Sequence, residues 1–156
     1  KISDTKIMQR SRDPRNLPSI IDGVVALKHG KTGNPKTRRI IYDPTSMEIR
    51  WKPDSEHESI FHRMYTTPPS LSSKHMAPGI KIGFINRVVK GIHTDRLLKA
   101  KLVDPACCLS IVTKDRTLDL TLNSQWERNA FFTNLKEFLN TTLTNAHQRI
   151  EFDSAP

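Results

Sequence analysis

The stretch from Ser124 to Ile150 constrains the fold most, because it reads as one long amphipathic helix closing an otherwise β-compatible chain. Ser124-Gln125-Trp126-Glu127 has the form of a capping box, with serine at the N-cap and glutamate three positions on to satisfy orphaned backbone N–H groups. Behind it Trp126, Ala130, Phe131, Leu135, Phe138, Leu139 and Leu143 recur at helical spacing, and no Gly or Pro interrupts 124–150. The spacing predicts a helix that frays beyond Thr142 and whose aromatic stripe is core packing rather than a cofactor site.

Seven short runs precede it, at Ile20–His29, Thr37–Tyr42, Met47–Lys52, Ile80–Phe84, Asn86–Lys90, Cys107–Thr113 and Arg116–Leu122. In the third, Met47, Ile49 and Trp51 share one face, with Glu48, Arg50 and Lys52 on the other. In the last, Leu118, Leu120 and Leu122 point in, and Thr117, Asp119 and Thr121 point out. Gly30, Asp43-Pro44, Gly91 and Lys114-Asp115 break the runs where turns are needed, and Asp95–Lys101 has helical character. Seven strands and then one helix predict a mainly β fold, a near-orthogonal sandwich or partly open barrel. The helix would plug one end and leave a mouth at the other.

A length of 156 residues predicts one domain with a sizeable core. Residues 1–19 read as a basic arm, with Lys6, Arg10, Arg12 and Arg15 between prolines, and the domain as 20–146. Residues 53–78, with Pro53, Pro68, Pro69 and Pro78, are too long for a hairpin turn and read as an inserted loop. Inside it Ile60, Phe61 and Met64 share one side of a short helical segment, suited to packing on the sheet or to touching a membrane. Residues 147–156 read as a tail.

The formal net charge is +9, with a pI near 9.8, which predicts an anionic partner. Residues 1–52 hold 12 Lys/Arg against 5 Asp/Glu, so the first third carries most of the excess. It is densest around the Gly30–Pro35 turn, where Lys28, Lys31, Lys36, Arg38 and Arg39 stand with no acid among them. Two β runs that gather this much charge at one sheet end make a phosphate trap, in which Lys supplies a mobile point charge and Arg a planar fork. Gly30, Gly33 and Asn34 let loop N–H groups turn towards an oxyanion. Arg39 would point away from Arg38 and act as a surface contact. Lys52, at the end of the third strand, would close one wall.

Other chemistries find little support. The histidines His29, His57, His62, His75, His93 and His147 show no metal-ligand spacing, so no metal and no cofactor is expected. Gly30-Lys31-Thr32 is not a phosphate loop of the nucleotide-binding kind, since the residue five before Gly30 is Val25 and no helix follows. No nucleophile–base pair stands out, and an enzyme is not expected. Nucleic acid is a weaker reading, because the cations are not interleaved with aromatics for stacking. No apolar run reaches about 18 residues. The adjacent Cys107 and Cys108 read as two free thiols, one packed and one outward, which suits a reducing compartment.

The order of elements and three motifs resemble a pleckstrin-homology domain over roughly Ile21–Leu143. Lys28 followed by Lys36-Thr37-Arg38 matches a basic pattern of a late first-strand Lys and a Lys/Arg-x-Arg opening the second strand. INRVVKGIHTDRLL (85–98) is similar to a segment of phospholipase C pleckstrin-homology domains, and CCLSIVTKDRTLDL (107–120) resembles the sixth and seventh strands of the same subfamily. The family's helix tryptophan falls at Phe131, with Trp126 a turn earlier. The resemblance implies a mouth bearing Lys28, Lys36 and Arg38, with Arg116 and Thr117 nearby. It also implies a monomeric module at the cytosolic face of a membrane that binds an anionic phospholipid, either phosphatidic acid or a phosphoinositide. A protein-interaction scaffold without lipid binding is the alternative. Small basic proteins of this family in apicomplexan parasites, some acylated, are similar, and any acyl anchor here would lie upstream of Lys1.

Overall fold

The computed structural model describes residues 18–32, 34–54, 77–144 and 149–153. Most of the expected arm and of the 53–78 insertion, including Ile60, Phe61 and Met64, lies outside the described residues.

The strands are β1 (Val24–His29), β2 (Lys36–Asp43), β3 (Glu48–Pro53), β4 (Gly79–Lys81), β5 (Ile85–Lys90), β6 (Cys108–Thr113), β7 (Thr117–Thr121) and β8 (Glu151–Asp153). A short helix α1 (Asp95–Lys99) lies between β5 and β6, and the long helix α2 (Gln125–Thr142) follows β7. The strands form one open sheet in the order β4-β3-β2-β1-β7-β6-β5-β8. The fold is therefore mainly β with one long C-terminal helix, as the sequence predicts.

Alternation explains the core. Val24, Ile40 and Ile49 face inward from β1, β2 and β3, and Ile111, Leu118 and Leu120 from β6 and β7. Both halves of the sheet meet α2 in one cluster, through Phe131, Phe132, Leu135 and Leu139. Phe131, at the position the resemblance gives to a tryptophan, is wholly buried. Truncating such a ring to alanine costs about 3–5 kcal/mol. Ser124 accepts the Glu127 N–H at 3.1 Å, so the predicted cap forms. Arg128 fastens α2 to the sheet by donating from Nη1 to the carbonyls of Pro105, at 3.2 Å, and Cys108, at 3.3 Å.

Several expectations need correction. Among the described residues there are eight strands, not seven: Glu151–Asp153, within the expected tail, pairs parallel to Arg87–Val89 of β5. The run Ile80–Phe84 divides into β4 and a 3-10 turn at Ile82–Phe84, and α1 ends at Lys99 rather than Lys101. Met47 is exposed, with φ 55° in the β2–β3 turn, and not part of the β3 inner face. Trp126 is 41% exposed and lies outside the core cluster. Asp119 faces outward as its register requires, yet it is fully buried. The β5–β6 connection lies over the outer face of β7, and Thr94, the N-cap of α1, donates to Asp119 at 2.6 Å.

Cys108 is buried and Cys107 half-buried, both as free thiols. Burial pushes the pKa of each thiol up. No helix among the described residues is long and apolar enough to cross a membrane.

Candidate functional site: a cationic mouth over Trp51

Three strands present their inner faces side by side, and each changes character towards one end. Register pairs Val24 with Ile40, Ala26 with Arg38, and Lys28 with Lys36. It also pairs Ile40 with Trp51 and Arg38 with Pro53. Residues two apart share a face, so the inward stripe runs from Val24, Ile40 and Ile49 to Lys28, Lys36 and Arg38. Trp51 marks the transition, 4% exposed, with the core on one side and the cations on the other.

Above it opens a cavity of about 310 Å3 lined by Lys28, Lys36, Arg38 and Trp51. Gly30, Thr32 and Asn34 of the β1–β2 loop, with Pro53 and Pro78, complete the described lining, and no acidic residue is among them. The Lys28 ammonium stands 5.0 Å from the Trp51 ring centroid. The Arg116 guanidinium, from the tight β6–β7 turn, stands 5.0 Å from the same centroid. That turn is pinned by Thr113, whose Oγ1 donates to the Arg116 carbonyl at 2.9 Å and accepts the Arg116 N–H at 3.1 Å.

Positive charge dominates the described surroundings of Lys28. Burial depresses the Lys28 pKa below its ordinary 10.5, and the charges of Arg96, Arg116 and Arg38 push it further down. Asp119 opposes this only weakly, as the last of the contributions. Like charges crowded this closely favour any anion that enters.

The predicted residues thus divide. Lys28, Lys36 and Arg38 are brought together, with Arg116 across Trp51. Lys31 is exposed on the β1–β2 loop, outside the lining. Arg39 and Lys52 are paired with each other in register and so share the opposite face. Arg39 is bound there to Asp54 at 3.2 Å and packs beneath Gly23. Thr117 also faces outward and donates to Asp119 at 2.6 Å. Sequence reasoning missed Trp51 as the floor of the mouth, although alternation from Ile49 gives that position. It also missed Arg96, whose closeness to Lys28 comes from a connection folding back over the sheet.

The outer face behind the mouth holds a buried polar cluster. Asp119 accepts hydroxyl hydrogen bonds from Thr94, Ser110 at 2.7 Å and Thr117, and the Arg96 guanidinium lies 4.0 Å away. His29, opposite Asp119 in register, is 3% exposed, and its Nε2 meets Thr121 Oγ1 at 2.8 Å. Burial lowers the His29 pKa below 6.5. Among the described residues no group of three His, Cys, Asp or Glu could hold a metal ion.

No protein-family model matches the sequence. No curated protein matches it either. Solved structures do resemble it. Inner membrane complex sub-compartment protein 1 from Toxoplasma gondii is 13% identical, covering 90% of this chain and 95% of that one, with a TM-score of 0.49. The N-terminal PH domain of human ARAP2 is 16% identical, covering 86% and 89%, with a TM-score of 0.46. PLC21 of S. officinalis is 10% identical with a TM-score of 0.50, covering 83% of this chain but only 17% of that one. At these identities the likeness is one of fold. The chain has the pleckstrin-homology fold, a module with an open sheet and a C-terminal helix.

Proposed function

We infer that this chain is a membrane-surface binding module whose mouth holds the phosphate of an anionic phospholipid headgroup. The observation that carries the reading is the cavity on which Lys28, Lys36 and Arg38 converge from neighbouring strands, with no acid in its described lining and with Arg116 beside them over Trp51. Arg38 offers a fork and the lysines mobile charges, the donor set that a phosphomonoester needs. The module would sit peripherally on the cytosolic face of a membrane. Phosphatidic acid and a phosphoinositide share the phosphate chemistry, and the test separates them.

Vesicles of phosphatidylcholine containing phosphatidylserine, phosphatidic acid or individual phosphoinositides are pelleted with the chain at low and near-physiological salt. The expected result is a preference for one phosphate-bearing lipid that survives salt, lost in Lys28→Glu/Arg38→Glu while the domain stays folded. Pelleting that follows net vesicle charge alone and vanishes with salt would reject a specific site. Absence of binding to every vesicle would favour a protein-interaction scaffold instead.

A further inference from the structure

The connection between β5 and β6 carries more apolar surface than its packing uses. Leu97 of α1 is wholly buried against the sheet. The other two leucines of the segment are not: Leu98 is 67% exposed and Leu102 is fully exposed. Leu102 also has φ 60°, in the left-handed region, where a bulky side chain is strained and glycine is the ordinary choice. A segment that only had to turn here would not display leucine at that cost.

The surrounding charge says what would cover these side chains. Residues 95–104 read Asp-Arg-Leu-Leu-Lys-Ala-Lys-Leu-Val-Asp, with three cations between two flanking acids. Lys99 and Lys101 are exposed beside the leucines. Apolar side chains set among lysines suit the boundary of an anionic bilayer, where leucine leaves water and lysine reaches the headgroups. Position agrees. Arg96 donates to the Thr117 carbonyl at 3.3 Å, on the hairpin whose Arg116 stands over Trp51. The start of the connection is therefore tied to the hairpin that carries Arg116.

We propose that Leu98 and Leu102 form a second membrane contact, entering the interfacial layer of an anionic bilayer while the mouth holds a headgroup. The inference rests on the reading of the mouth as a lipid-phosphate site.

The test uses the whole chain and vesicles of phosphatidylcholine with phosphatidylserine and phosphatidic acid. Leu98→Ala/Leu102→Gly should bind about ten-fold more weakly than the unaltered chain. Leu102→Gly alone should melt no lower than the unaltered chain, because it removes a strained residue without core contacts. Vesicle affinity of the double variant within about two-fold of the original would overturn the inference and leave the mouth intact as a site. A fall in melting temperature for Leu102→Gly would show that the leucine is packed, and would also overturn it. Failure of the unaltered chain to bind these vesicles and vesicles carrying phosphoinositides would sink both readings together. Direct insertion is read by Leu102→Trp in a Trp126→Phe background. Acyl-chain bromolipids should quench its emission beyond that of Trp126→Phe alone, and equal quenching counts against insertion.

Discussion

Lys28 and Arg116 converge on one aromatic ring: their cationic groups each stand 5.0 Å from the centroid of Trp51. They come from strand β1 and the β6–β7 turn, far apart in sequence, so Trp51 joins the two sides of the mouth. A cation over an indole contributes about 0.5–1 kcal/mol when exposed and more when water is excluded. An anion competing for either cation would alter the ring's surroundings.

Trp51 should therefore report occupancy. The chain has two tryptophans, and Trp126→Phe leaves Trp51 alone. Its emission is expected to shift on addition of anionic vesicles or a soluble inositol phosphate, and the shift should shrink in Lys28→Met. Binding without any change in Trp51 emission would place the anion elsewhere.

Lys28 makes anion binding depend on protons. Its folded pKa lies below 10.5, so the folded chain releases this proton at lower pH than the unfolded chain does. Where the unfolded state holds more protons, stability rises with pH, so the contribution of Lys28 grows through the alkaline window that ends near 10.5. A bound phosphate offsets the repulsion from Arg96, Arg116 and Arg38 that adds to the effect of burial, and so raises this pKa. Binding in that window should thus take up protons, seen as calorimetric enthalpies that differ between buffers of different ionisation heat. Lys28→Met should remove the difference.

His29 sets the opposite end of the pH range. Burial holds it neutral, with Asp119 favouring and Lys28 opposing its charged form. Its folded pKa is below 6.5, so the unfolded chain takes the proton first and stability falls as pH drops from 6.5 through the folded value. The melting temperature should decline over that interval, and less steeply in His29→Gln. Asp119→Ala, which strips three hydroxyls of their acceptor, should cost about 3 kcal/mol in urea unfolding at neutral pH.

What the sequence disclosed follows from where short-range rules operate. Alternation and capping are local, so β1 to β7, the Ser124 cap and the inward direction of Lys28 and Arg38 were all readable. The same alternation already puts Arg39 and Lys52 on the other face. Burial of Asp119 was not readable, because it depends on a connection folding back over an outward face, and alternation alone treats that face as solvated. The exposure of Trp126 was missed for a related reason. Helical spacing gives the direction of a side chain but not how far the opposing sheet extends beneath it. Strand β8 was hidden because three residues, Glu151-Phe152-Asp153, are too few for any periodic signal.

That eighth strand makes the last prediction. It lies parallel to β5 and covers an edge that would otherwise expose unpaired backbone groups. Phe152 meets Phe132 edge-on with ring centroids 6.1 Å apart, and the Lys136 ammonium lies over the Phe152 ring at 5.7 Å from its centroid. Asp153 accepts from Arg87 at 2.8 Å, but both side chains are substantially exposed. An exposed ion pair contributes about 0–1 kcal/mol, whereas an aromatic contact adds about 0.5–1.5 kcal/mol beyond its buried area. The ring should therefore dominate. Phe152→Ala is expected to lower stability by about 1–2 kcal/mol in urea unfolding, and Asp153→Asn by less than half of that. Removal of residues 149–156 should match or exceed Phe152→Ala and should speed amide hydrogen exchange along Arg87–Val89. A larger effect of Asp153→Asn than of Phe152→Ala would mean that charge, not the ring, holds the strand.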